Sequence, residues 1–141
     1  MSCSMKTHLA VTITSLMGFN ALADLPPKFV RAIHMVESSG RYGKIDGDYV
    51  NGKPRAKGPM QLHFSYWKDA IQYNPSIGGR YEDCYDFNYS VKIMNAYMER
   101  YGMKYIKTNN LEALSRLHNG GLGGINSSIT NGYWNKVKKY L

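Results

Sequence analysis

Apolar positions recur along this chain with helical spacing, broken by short polar stretches. Phe29, Ile33 and Val36 step by four and three, one face of a helix. Leu25-Pro26-Pro27 precedes them, and proline is tolerated in a first helical turn and sets its start. With Gly40 as a stop signal, the spacing predicts a helix from about Pro27 to Ser38. A second helix is expected from His63 to Tyr73, with Tyr66, Trp67 and Ala70 on one side. The strongest pattern is Phe87, Val91, Met94, Met98 and Tyr101, widened by Ile93 and Tyr97. It predicts a central helix from about Asp86 to Tyr101, ended by Gly102, whose Met/Tyr stripe reads as core. Asn110 is a candidate N-cap for a short helix carrying Leu111, Leu114 and Leu117, which should end at His118-Asn119-Gly120-Gly121. Ser127, Ser128 or Thr130 can cap a last helix with Tyr133, Trp134, Val137 and Tyr140 on its apolar side. Lys136, Lys138 and Lys139 then fall near its C-terminus, where positive charge is favourable.

The stretch Arg41 to Lys57 is polar and glycine-rich, and Asn51-Gly52 between Tyr49-Val50 and Lys53 is a hairpin signal. A small, irregular hairpin should hold Asp46 and Asp48 across from the end of the first helix. Gly58-Pro59 breaks the chain, Met60-Gln61-Leu62 re-enters a packed element, and Asn74 to Asp83 reads as a loop. The pattern is therefore α+β, mostly α, with about five helices and a small β-hairpin. No repeat, linker or low-complexity tract divides it.

The first 23 residues follow a different logic. Lys6, the mostly apolar run Leu9 to Leu22 and the small-x-small Ala21-Leu22-Ala23 read as a secretory signal peptide. The run is too short to span a bilayer, so no stable membrane insertion is expected. This leaves residues 24–141 as one domain, secreted or periplasmic. The formal net charge of +8 suits a polyanionic partner. No Lys/Arg run exceeds two residues, which argues against nucleic acid and leaves an acidic glycan or cell wall. The 12 tyrosines can stack on sugars, although most should fill the core. Cys3 and Cys84 have the spacing of neither a metal site nor a redox pair, so neither metal nor cofactor is expected. Once the leader is removed, Cys84 stands alone and stability must come from packing.

Candidate chemistry centres on Ile33-His34-Met35-Val36-Glu37-Ser38-Ser39-Gly40, where a carboxylate ends an apolar helix beside a turn. Partial burial there disfavours the charged form of a carboxyl, which suits a general acid. Asp46 and Asp48 are each open to a catalytic role or to ordinary turn chemistry. Gln61 can hydrogen-bond a sugar amide or hydroxyl, or act as a cap. His118 can serve as a base or orient a loop.

These pieces occur in a familiar order. Glu37-Ser38-Ser39-Gly40, Gly58-Pro59-Met60-Gln61-Leu62, Tyr66-Trp67-Lys68-Asp69, Tyr97-Met98-Glu99-Arg100-Tyr101, His118-Asn119-Gly120-Gly121, Thr130 and Tyr133-Trp134 together resemble the invertebrate-type (destabilase-like) lysozymes. The blocks at Glu37, Gly58 and His118 also look like those of lytic transglycosylases, which share the lysozyme-like fold. The resemblance covers most of Val30 to Val137. It implies a monomeric muramidase acting on peptidoglycan or chitooligosaccharide, with Glu37 as general acid. It implies Asp48 as the second carboxylate, with Asp46 as the alternative, and Ser38, Gln61, His118 and Asn119 positioning the N-acetyl sugars. A lytic transglycosylase would need only Glu37 and leave 1,6-anhydro ends. A glycan-binding module would keep the fold without turnover. Those lysozymes are cysteine-rich, whereas this chain is not.

Overall fold

The structure is a computed structural model that describes residues 24–141. The leader expected over residues 1–23 lies outside the described residues.

The first helix, α1, runs Pro27–Ser38 with proline in its first turn. It ends because Ser39 turns left-handed and its N–H closes on the Met35 carbonyl. Its apolar face carries Phe29 and Ile33, both fully buried. A hairpin comes next, β1 (Asp46–Val50) and β2 (Lys53–Lys57), pairing Val50 with Lys53 and Asp46 with Lys57. Asn51 and Gly52 both take positive φ, as a two-residue turn matched to the strand twist requires.

Two residues beyond the expected hairpin join the sheet. Leu62–His63 form β3, antiparallel to β2, and run directly into α2 (Phe64–Tyr73). The Gly58-Pro59 break is tight: a Cβ on Gly58, at φ 77°, would lie 1.8 Å from the Cys84 carbonyl oxygen. It delivers Met60 and Leu62 to the core. The loop after α2 contains two 3-10 turns, Pro75–Ile77 and Tyr81–Tyr85.

The central helix, α3, is Phe87–Lys107, six residues longer at its C-terminus than the pattern predicts. Gly102 does not stop it. A Cβ there would sit 2.8 Å from Leu117 Cδ2 and 3.1 Å from Leu114 Cδ2, so this glycine lets the next helix approach. The true end is Thr108, with Asn109 left-handed after it. Asn110 then caps α4 (Leu111–Gly124), its side chain accepting from the Ala113 N–H at 3.0 Å. The predicted end at residues 118–121 is a break within α4: Gly121 takes φ 63°, ψ −162°, and helical turns resume. A 3-10 turn at Ser128–Thr130, capped by Ser127, leads to α5 (Asn131–Val137) and a last 3-10 turn at Lys138–Tyr140.

The core lies where α3 packs between α2 and α4, and α5 joins α4 to α1, filled by Met94, Met98, Leu114, Leu117 and Val137. Cys84 is a buried free thiol, pushed up to about 12 chiefly by burial. Among the described residues, no helix is long and apolar enough to cross a membrane. Arg116 ties α4 to the turn that leads into α5. Its Nη1 donates to the Ser127 carbonyl, Thr130 Oγ1 and Asn131 Oδ1 at 2.7–3.2 Å, while Nε and Nη2 hold Glu112.

Candidate active site

Glu37 sits one residue before the end of α1, its side chain 18% exposed. Two polar groups from distant helices reach its Oε1. The Tyr133 hydroxyl of α5 donates at 2.5 Å, and His118 Nε2 of α4 lies at 3.3 Å. Behind His118, the Tyr66 hydroxyl of α2 meets Nδ1 at 3.2 Å. Burial above all, then the charge and hydrogen bond of Glu37, holds the Tyr133 phenol well above its ordinary range. Burial, followed by the charges of Tyr97 and Glu37, does the same to Tyr66. Both hydroxyls therefore keep their protons. Tyr66 is also fixed by its ring, which stacks on Tyr97 with centroids 3.6 Å apart.

Glu37 opens into a cavity of about 590 Å³, lined also by Asp48, Gln61, His63, Tyr66, Asp69, Tyr97, His118 and Asn119. That volume suits a ligand of a few linked rings. The break at Gly121 brings the α4 backbone to its wall. Among the described residues, no group of three or more His, Cys, Asp or Glu is placed to hold a metal ion.

The two hairpin acids part company. Asp48 lines the cavity from a left-handed backbone at φ 50°. Its Oδ2 meets Arg55 Nη2 at 3.0 Å across the strand pair and His63 Nε2 at 3.1 Å. Asp46 does not line the cavity and instead accepts a hydrogen bond from the Tyr85 hydroxyl.

The other sequence candidates also divide. His118 and Asn119 line the cavity, but the ring nitrogens of His118 face Glu37 and Tyr66. Gln61 lines it too, at φ 48°, with its amide nitrogen donating to the carbonyls of Gly58 (2.9 Å) and Ile45 (3.3 Å). Gly47 is shaped to it, because a Cβ there would lie 1.8 Å from Gln61 Oε1. Ser38 is buried outside the cavity lining, its hydroxyl donating to the His34 and Arg41 carbonyls at 3.2 Å. It therefore braces the turn after α1.

Sequence reasoning placed Tyr66 and Tyr133 on apolar helix faces and left their hydroxyls aside. The signal that could have found them is chemical: a buried phenol needs a partner for its O–H. His63, Asp69 and Tyr97 also reach the cavity. Tyr101 donates to Asp69 Oδ2 at 3.1 Å, steadying that carboxylate from α3.

The Destabilase family model matches residues 48–140. A lysozyme of Ostrea edulis is 37% identical over 93 residues, 65% of this chain and 65% of its own. An invertebrate-type lysozyme of Ruditapes philippinarum is 36% identical over 83 residues, 58% of each. The chain thus spans less than two thirds of the length of these relatives. The crystal structure of Tapes japonica lysozyme superposes with a TM-score of 0.66 at 31% identity, covering 81% of this chain and 89% of that one. An inhibitor-bound lysozyme from Meretrix lusoria shares the fold at 22% identity and TM-score 0.63, covering 82% and 90%.

Proposed function

The chain belongs to the Destabilase family, and from that premise we propose that it is a muramidase. It hydrolyses the β-1,4 bond between N-acetylmuramic acid and N-acetylglucosamine in peptidoglycan. The observation that carries this reading is the shared cavity of Glu37 and Asp48, one carboxyl largely enclosed and the other in the wetter hairpin. Glycoside hydrolysis needs that pair: a proton for the leaving oxygen and negative charge beside an oxocarbenium-like transition state. Glu37 gives the proton. Asp48, steadied by Arg55 and His63, acts as nucleophile or electrostatic partner. Asn119, Asp69 and Tyr97 present polar and ring contacts to the sugars, and Gln61 shapes the wall between hairpin and helix. The reaction uses no cofactor. The chain acts as a secreted monomer, its basic surface favouring an anionic wall.

Purified protein on peptidoglycan, with products read by mass spectrometry, tests the proposal. Reducing ends are expected, and Glu37→Gln should slow clearing at least about a hundredfold, the share of a general acid. Anhydro ends would make it a lytic transglycosylase. Binding of chitooligosaccharide without turnover would leave only a glycan-binding module.

A further inference from the structure

The contacts on Glu37 extend the muramidase reading and rest on it. We propose that Tyr133 and His118 are positioning residues that dictate which oxygen of Glu37 carries the catalytic proton, and that this oxygen is Oε2. Tyr133 donates to Oε1 at 2.5 Å. The Tyr66 hydroxyl lies 3.2 Å from His118 Nδ1 and fixes the orientation of the ring. Nε2 faces the same Oε1 at 3.3 Å. The oxygen that accepts from Tyr133 is the carbonyl oxygen of the protonated carboxyl, which leaves the O–H to the other. In the transfer, the Oε2–H bond breaks as the glycosidic oxygen takes the proton together with the electron pair of its bond to the sugar's C1. The charge left on Glu37 then meets the Tyr133 donor already in place, with His118 Nε2 beside it, needing no reorganisation.

The titratable groups around Glu37 come from each neighbouring element: Tyr133 from α5, His118 from α4, Tyr66 from α2 behind it. Asp48 of β1, His63 of β3 and Asp69 of α2 line the same cavity. Among the described residues, Tyr133 donates to the Glu37 carboxyl, and His118 Nε2 lies 3.3 Å from the same oxygen.

The test is the ¹³C NMR titration of the Glu37 side-chain carboxyl in wild type, Tyr133→Phe and His118→Phe, alongside pH–rate profiles. In Tyr133→Phe the midpoint should rise, because a donor to the charged form is gone. The alkaline limb of kcat should move with it, and kcat should fall about tenfold with little change in KM, the effect of one charge-assisted hydrogen bond. His118→Phe should shift the midpoint in the same direction, and it decides the matter if Tyr133→Phe does not fold. An unchanged midpoint in folded variants would overturn the proposal and reduce the two residues to packing. The titration needs no substrate, so a wild type that leaves peptidoglycan intact would sink the muramidase reading alone.

Discussion

At the scale of single residues, the hairpin acids are the sharpest case. Asp46 and Asp48 have the same parity along a strand, and strict alternation would turn both to one face. The sequence leaves them interchangeable for that reason. The structure separates them through a backbone feature invisible to alternation: Asp48 is left-handed, while Asp46 stays in the ladder and bonds Tyr85. Asp48→Asn should therefore cut hydrolysis of peptidoglycan at least about a hundredfold. Asp46→Asn should leave turnover within a few-fold of wild type and cost about 1 kcal/mol of stability through its hydrogen bond. Paired kinetics and urea melts read both effects. Glu37, by contrast, could be singled out from the sequence, because a carboxylate ending an apolar helix beside small residues is a local pattern. Its neighbours could not, since Tyr133 and His118, with Tyr66 behind the imidazole, reach it only through tertiary packing.

At the scale of elements, local signals predicted where helices begin better than where they stop. Pro27 and Asn110 act within one turn of themselves, and both starts match. Gly102 has the composition of a stop signal, but its role depends on a helix that comes later in the sequence. Gly102→Ala offers the comparison. Alanine's helix propensity favours it by about 1 kcal/mol, yet its methyl would press on Leu117 and Leu114, both fully buried and unable to yield cheaply. Overpacking of about 1–3 kcal/mol should win, lowering Tm in a thermal melt. Asn110→Ala should cost about 1 kcal/mol in the same measurement, by leaving the Ala113 N–H without its cap. The short β3 was missed because two residues carry no period of their own; pairing with β2 creates it.

At the scale of the molecule, the α+β character and five helices follow from the hydrophobic pattern, and the cavity does not, because its walls come from segments far apart in sequence. Stability rests on packing and on ties such as Arg116 rather than on disulfides, with Cys84 free. Buried phenols make that stability sensitive to alkali. The Tyr97 phenol is pushed up to about 12 from 10.0, chiefly by burial, and Tyr66 and Tyr133 are also raised. A folded value above the unfolded one means the stabilisation is complete below pH 10.0 and is lost as pH climbs from there toward 12. Each such phenol should remove about 1.4 kcal/mol per pH unit in that window; circular dichroism melts from pH 9 to 12 would show it. The bond from Tyr133 to Glu37 spans 96 positions. A nascent chain emerging N-terminus first therefore carries its acid for most of its synthesis without the partner that orients it.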